Sequence, residues 1–134
     1  MDAEQLLPHT GPMCCIDRLL ASSKTEALAD VLLRPEHSLV CDGLLDPSGY
    51  VELAAQSAGA MQGFDQYRQG RPPKFGYLVG VQDFCVHGEA RLGDRLEIAV
   101  GIEAELAGVT VLTVGIRRDG ALLAEGRIKV YVPE

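Results

Sequence analysis

The stretch DPSGYVELAAQSAGAMQGFDQY, residues 46–67, decides how the rest of the chain can be arranged. Asp46 suits the N-cap of a helix, and Pro47 suits the first helical position, because the first turn leaves its missing N–H without a partner in any case. A helix is therefore predicted over Ser48–Tyr67. The small and apolar residues of one face recur at helical spacing. They are Tyr50, Leu53, Ala54, Ser57, Ala58 and Met61.

Small residues also occupy most other positions of this helix, among them Gly59 and Gly63. Glycine inside a helix costs about 0.5–1 kcal/mol relative to alanine, so a compensating contact is expected. Close approach of other backbone on several sides would compensate. The composition therefore predicts a helix wrapped by a curved sheet.

Hydrophobic alternation with a period of two residues follows Gly70 and predicts long strands. Shorter strands are predicted before the helix, with a helical turn at residues 3–7 and an irregular segment at residues 35–46. Strands on both sides of a lone helix indicate an α+β fold, and its exposed sheet edge favours a homodimer. The predicted strands are Met13–Leu20, Thr25–Arg34, Phe75–His87, Asp94–Glu105, Val109–Arg118 and Ala121–Val132.

Composition restricts the function classes. The 134 residues contain no repeat or linker, so a single domain over residues 1–134 is expected. The net charge of −7 argues against binding of nucleic acid or an anionic membrane. We find no signal peptide and no apolar run of about 20 residues, which favours a cytoplasmic protein.

The four cysteines show no metal-ligand spacing, so no metal is expected and buried, reduced thiols are predicted. No cofactor-binding motif is present either, and no cofactor is expected. The segment RQGRPPK, Arg68–Lys74, concentrates three cations and suits an acidic partner, although a solvated loop explains it equally well.

Glu52 and Gln56 lie one helical turn apart and therefore share a face. Their neighbours, VELAAQSAGA, are small or apolar, and loss of hydration would raise the pKa of the Glu52 carboxyl. Such a carboxyl can act as a general acid near neutral pH. The alternative is a solvent-facing glutamate favoured by the helix dipole.

Three histidines are available as a base: His9 in LPHTGPM, His37 in the irregular segment, and His87 near a strand end. His87 is the weakest candidate, because nothing in the sequence links it to Glu52. Each histidine, taken alone, is more often structural than catalytic.

The order of the segments LPHTGPMCCIDRLL and YVELAAQSAGA, followed by long strands, resembles the hotdog-fold 3-hydroxyacyl-acyl-carrier-protein dehydratases. The family's PHxxPxxxxDR segment is matched by Pro8, His9, Pro12, Asp17 and Arg18. Its ExxAQ helix motif is matched by Glu52, Ala55 and Gln56. The pair Pro12 and Met13, the YVE helix start, the GYLVGVQDF strand and the Gly93–Asp94 pair are most similar to the aryl polyene subgroup.

The resemblance implies a hotdog fold, an antiparallel sheet around one long helix, and an activity in fatty acid or polyene biosynthesis. In the family a histidine removes the α-proton of a 3-hydroxyacyl thioester, and a carboxyl, here Glu52, protonates the departing hydroxyl. Backbone N–H groups at the helix N-terminus polarise the thioester carbonyl, which implies Gly49 and Tyr50 as substrate-binding positions. Gln56 of the ExxAQ motif is predicted to bind the substrate as well. In dimers of the family, the histidine and the carboxyl of one site come from opposite subunits.

One departure from the family concerns the base. The well-studied enzymes carry it in a GHFP segment, where this chain has PEHSLVCDG with His37 one residue out of register. The divergent subgroup lacks GHFP and keeps the PHxxPM histidine, which implies His9 as the base. His37 in a shifted loop remains the alternative.

Two other functions fit the same fold. One is a hotdog thioesterase that activates water with a carboxylate. The other is a non-catalytic subunit that completes a heterodimer with an active paralogue, favoured by the missing GHFP. The resemblance implies a carrier-protein or coenzyme A thioester as substrate, in a homodimer, a hotdog heterodimer or a higher oligomer.

Overall fold

The structure, a computed structural model, describes residues 1–8, 11–72 and 76–133. Two single turns of 3-10 helix, Ala3–Gln5 and Gly11–Met13, precede the first strand. The elements that follow are β1 (Arg18–Ser22), β2 (Glu26–Leu32), β3 (Val40–Cys41), β4 (Leu44–Leu45), α1 (Pro47–Arg68), β5 (Tyr77–Val86), β6 (Arg95–Leu106), β7 (Val109–Arg118) and β8 (Ala121–Tyr131).

Six of the strands form one antiparallel sheet in the order β1-β2-β6-β7-β8-β5. α1 lies across one face of this sheet and contacts all six of its strands. The predicted α+β arrangement of a sheet around one helix is confirmed. The largest fully buried apolar side chains come from the helix, the sheet and the segments beside them: Leu6, Leu33, Leu53, Leu96, Ile98, Leu112, Ile116 and Ile128.

α1 begins where the sequence predicts. Asp46 Oδ1 accepts a hydrogen bond from the Ser48 N–H at 2.9 Å, and Pro47 is the first helical residue. The six residues predicted to share a face are all buried, and the helix exceeds the predicted range by one residue at each end. No helix in the three described ranges is long and apolar enough to cross a membrane.

Gly63 marks the closest approach of α1 to another segment. A Cβ at this position would overlap the Leu6 carbonyl oxygen and lie 2.8 Å from the carbonyl carbon. Gly59 is less restricted, because a Cβ there would meet only the Leu7 Cδ2 methyl at 3.1 Å. The close backbone contact expected from the glycines is therefore present, and an N-terminal turn, as well as the sheet, provides it.

The predicted strand Met13–Leu20 is wrong in position. Gly11–Met13 forms a 3-10 turn, and β1 begins only at Arg18. Cys15 explains the difference, since its N–H and C=O bind the side chains of Gln56 and His37 instead of a neighbouring strand. The apolar run predicts that this segment is buried, but it does not predict which groups its backbone N–H and C=O groups bind.

Residues 35–46, predicted to be irregular, contain the two-residue hairpin β3–β4. Its turn places Asp42 at φ 54° and Gly43 at φ 78°, the left-handed conformations that an Asp-Gly turn favours. Backbone hydrogen bonds from Leu45 to Ala90 and from Leu92 to Gly43 attach this hairpin to the loop before β6. The Asp-Gly pair was a signal for this turn.

The four long strands after the helix are confirmed with small shifts at their ends, and Phe75 lies outside the described residues. In β6, Leu96, Ile98 and Val100 point inward, which agrees with the period-two pattern of the sequence. The alternation of burial ends near a register shift between Ile102 and Ala104, and residues 103–106 are all exposed.

β5 is an edge strand whose apolar side chains are exposed. Tyr77, Leu78 and Val79 expose 56%, 42% and 54% of their surface. Because consecutive residues of a strand point to opposite faces, this exposure affects both faces of β5. An apolar edge of this kind is suited to pairing with another strand.

Gly63→Ala is expected to destabilise the fold although alanine is the better helix former. The added methyl displaces backbone, for which we expect a loss of about 1–3 kcal/mol in the free energy of unfolding, as for an overpacked core. Urea unfolding followed by circular dichroism measures it. Gly59→Ala is the control, with a change of no more than about 1 kcal/mol in either direction. Equal stabilisation by both substitutions would contradict the close contact.

Candidate active site

Glu52 and Gln56 contact each other on α1. Gln56 Nε2 donates a hydrogen bond to Glu52 Oε1 at 2.9 Å. The Glu52 side chain is half-buried, whereas Gln56 exposes only 3% of its surface. The carboxyl group thus lies at the boundary between solvent and protein, held from its buried side by an amide.

Gln56 also joins the helix to the segment before β1. Its Oε1 accepts from the Cys15 N–H at 2.6 Å, and its Nε2 donates to the Met13 carbonyl oxygen at 2.8 Å. With the additional bond to Glu52, both N–H groups of the Gln56 amide donate hydrogen bonds. The sequence predicts Gln56 as a substrate-binding residue, but its donors are already engaged within the chain.

His37 binds the same peptide group from the other side. Its Nε2 lies 2.8 Å from the Cys15 carbonyl oxygen, and its Nδ1 accepts from the Leu39 N–H at 3.1 Å. Because Nδ1 is an acceptor, Nε2 must carry the proton and donate. Neither ring nitrogen then has a free lone pair, so His37 in this arrangement has no site to accept a substrate proton.

Of the two other histidines, His87 lies within the described residues and His9 does not. His87 Nε2 lies 2.7 Å from Glu125 Oε2, at an exposed position beyond the end of β5, and its partner is therefore not Glu52. His9, the predicted base, lies outside the described residues. Its role stays a prediction from the sequence.

Gly49 and Tyr50, the predicted substrate-binding positions, are buried at the start of α1. A Cβ on Gly49 would lie 2.7 Å from Leu45 Cδ1, and the Gly49 N–H already donates to the Asp46 carbonyl oxygen at 2.7 Å. Close packing within the chain is thus sufficient to explain this glycine. Its contact with a substrate stays a prediction.

The Tyr50 hydroxyl is occupied by a loop. It accepts from the Ala90 N–H at 2.9 Å and donates to the Gly88 carbonyl oxygen at 3.2 Å. Tyr50 and Ala90 are both buried. The side chain therefore fixes residues 88–90 against the helix N-terminus, and only the backbone of Tyr50 remains for the predicted role.

All four cysteines are free thiols, and only Cys14 and Cys15 are shielded from solvent. Burial raises the pKa of the Cys14 thiol to about 11, with a further contribution from Glu4. Burial also raises the pKa of Cys15. Cys41 in the β3–β4 hairpin and Cys85 on β5 are exposed, so the prediction that all four are buried is wrong for these two. Among the described residues, no group of three His, Cys, Asp or Glu side chains is arranged to bind a metal.

One cavity beside α1 does not contain the acid. About 670 Å³ lies between the C-terminal half of α1 and the β6–β7 turn, and it is lined by residues such as Ala58, Met61 and Leu112. Ala58 is six residues beyond Glu52, roughly 9 Å along the helix axis. At 100° per residue it also lies on another face, which separates this cavity from the carboxyl group.

The predicted basic patch lies at the C-terminal end of α1. Arg68 and Arg71 are exposed, and Arg68 Cζ lies 5.9 Å from the centre of the Phe64 ring. Lys74 lies outside the described residues. A guanidinium over an aromatic ring is favourable and keeps its charge available to a partner.

The ApeP-like family model, described as ApeP dehydratase, matches residues 1–134. The chain belongs to this family. The resemblance inferred from the PHxxP and ExxAQ segments is therefore confirmed, and the ApeP-like model also confirms the predicted aryl polyene subgroup. Membership in this dehydratase family supports a 3-hydroxyacyl-acyl-carrier-protein dehydratase-like function, and hence a hydro-lyase activity, for the ApeP-like chain.

The relatives agree with this assignment. The chain is 27% identical to a 3-hydroxyacyl-[acyl-carrier-protein] dehydratase FabZ of Ruminiclostridium cellulolyticum, covering 96% of this chain and 92% of the relative. A chain of the dehydratase heterocomplex ApeI:P from Xenorhabdus doucetiae superposes with a TM-score of 0.90 at 21% identity, covering 100% of this chain and 92% of that one.

A hypothetical thioesterase with coenzyme A from Streptococcus pneumoniae is more distant. It superposes with a TM-score of 0.67 at 14% identity, covering 87% of this chain and 84% of that one. At such identities, solved structures establish the fold alone. They confirm the predicted hotdog fold of this ApeP-like protein.

Tyr50→Phe is expected to lower the free energy of unfolding by about 1–3 kcal/mol, the usual cost of leaving a buried hydrogen-bonding group unpaired. The Ala90 N–H and the Gly88 carbonyl oxygen would both lose their partner. Urea unfolding measures the loss. Tyr67→Phe serves as control, since Tyr67 is 55% exposed and its removal should change little. Equal stability of the two variants would show that the Tyr50 hydroxyl is dispensable.

Cys14 should resist alkylation in the native protein. A thiol with a pKa near 11 is ionised in roughly one molecule in a thousand at pH 8, and the thiolate is the reactive form. We expect iodoacetamide at pH 8 to modify exposed Cys41 first, and Cys14 and Cys15 only after unfolding. Mass spectrometry of digested samples separates the sites. Modification of native Cys14 as fast as Cys41 would contradict the burial described.

Proposed function

We propose that Glu52 is the general acid that removes water from a 3-hydroxyacyl thioester, with His9 as the base. One observation supports the assignment of Glu52. Its carboxyl is half-buried, and Gln56 holds it through a hydrogen bond to one oxygen. Both residues belong to the ExxAQ motif of the family. The occupied ring nitrogens of His37 support His9 by leaving the alternative histidine without a basic site.

The reaction balances with these two groups alone. The base takes the proton on the carbon next to the thioester carbonyl, and a carbon–carbon double bond forms as the bond to the hydroxyl breaks. Glu52 supplies the proton that completes the water molecule. The N-terminus of α1 at Gly49 and Tyr50 is the part of the chain proposed to polarise the carbonyl, as the family resemblance implies.

The substrate carrier and the subunit arrangement are part of the proposal. The exposed guanidinium groups of Arg68 and Arg71 favour an acidic carrier protein over coenzyme A. The apolar edge of β5 favours a second hotdog subunit, either an identical chain or a paralogue. By analogy with the family, we propose that this oligomer acts in the cytoplasm, in polyene or fatty acid synthesis.

Two alternatives retain specific support. The pneumococcal thioesterase shares the fold, so a hydrolase using the Glu52 carboxylate to activate water is one. The Xenorhabdus structure is a heterocomplex, so a chain that needs a paralogue for turnover is the other. Free thiol without enoyl product would favour the first, and activity that appears only after adding a second hotdog subunit would favour the second.

Glu52→Gln is expected to abolish water loss from a 3-hydroxyacyl carrier protein while the chain stays folded. The glutamine has no acidic proton to give, but its Oε1 can still accept the hydrogen bond from Gln56. Mass spectrometry of the acyl carrier protein measures the loss of water. Unfolding in urea and the oligomeric state check that the fold is retained.

The matched control is Glu97→Gln, which makes the same charge change at an exposed position of β6. Glu97 lies between inward-pointing Leu96 and Ile98, so it faces away from α1. It should retain full activity. Wild-type rates in Glu52→Gln would rule out this mechanism.

A further inference from the structure

We propose that Gln56 is a positioning residue of the reaction: it fixes which oxygen of the Glu52 carboxyl carries the proton. This inference rests on the proposed role of Glu52. It assigns Gln56 a task other than binding the substrate.

The orientation of the Gln56 amide is determined by its neighbours. The Cys15 N–H requires an acceptor and lies 2.6 Å from Oε1, while the Met13 carbonyl requires a donor and lies 2.8 Å from Nε2. A flipped amide would set N–H against N–H and oxygen against oxygen. The group pointing at Glu52 is therefore an N–H, and it cannot accept.

This N–H decides where a proton on the carboxyl lies. Glu52 Oε1 accepts from Gln56 Nε2 at 2.9 Å. In a protonated carboxyl the carbonyl oxygen is the stronger acceptor, so this hydrogen bond favours Oε1 as the carbonyl oxygen. The acidic proton is consequently placed on Oε2. The departing hydroxyl then meets a single proton donor of fixed position, which is the condition for efficient transfer.

The Gln56 side chain is itself firmly held. It exposes 3% of its surface, and both of its N–H groups are used. The Cys15 peptide that anchors it is bound on its carbonyl side by His37 at 2.8 Å. The orientation of Glu52 thus depends on the segment before β1, whose position Gln56 and His37 set together.

Gln56→Met tests the inference, because methionine has a similar length and donates no hydrogen bond. We expect kcat to fall by about 10- to 100-fold, the effect of misplacing a reacting group. KM should stay near the wild-type value, since Gln56 does not contact the substrate. The matched control is Gln66→Met, a buried glutamine ten residues further along α1 and roughly 15 Å away along the axis, which should leave kcat unchanged.

Gln56→Asn serves if the methionine variant does not fold. It keeps an amide in the buried position, but its side chain is one methylene shorter and cannot reach the Cys15 peptide and Glu52 together, so kcat should fall here as well. A rise in KM with unchanged kcat would overturn the inference and restore a substrate contact. Unchanged kcat and KM would overturn it too.

The same assays separate this inference from the proposed function. A wild-type protein, alone and with a paralogous subunit, that forms no enoyl product overturns both. An active wild type that loses activity in Glu52→Gln but not in the Gln56 variants overturns the inference alone. Loss of kcat in both sets of variants supports both.

Discussion

The distance between α1 and the N-terminal turn is set by a backbone contact, in which the Leu6 carbonyl oxygen occupies the space of a Cβ at Gly63. A side chain at that position would hold the two segments apart. With the helix this close, Gln56 reaches the backbone of Met13 and Cys15 directly. The small residues of the helix thus bring the polar groups of the site within hydrogen-bonding distance.

The site is made mostly of segments that have no strand partner. Residues 13–15, 37–39 and 88–90 all leave backbone groups that a sheet would otherwise satisfy, and the side chains of Gln56, His37 and Tyr50 satisfy them. Buried polar groups of this kind are costly when unpaired. Gln56, His37 and Tyr50, which are candidates for function in the sequence, therefore form structural hydrogen bonds in the region of the half-buried Glu52.

The helix and the long strands were predictable from the sequence, because capping and periodicity are local signals, and helical spacing correctly placed Glu52 beside Gln56. Sequence reasoning missed three features that depend on contacts distant in the chain. β1 starts late because Cys15 binds side chains, Ala104 is exposed in the last part of β6, and both His37 nitrogens are occupied by backbone groups. The β3–β4 turn is different, since Asp42 and Gly43 signalled it locally.

The edge strand β5 has a consequence for the life of the protein in a cell. Its apolar side chains are exposed on both faces, so the newly made chain presents a sheet edge that can pair with any other exposed strand. Chaperones and proteases act on such surfaces. If a paralogous hotdog subunit covers β5, the amount of this protein that accumulates is coupled to the supply of that subunit, and balanced synthesis of the two chains then matters for folding as well as for catalysis.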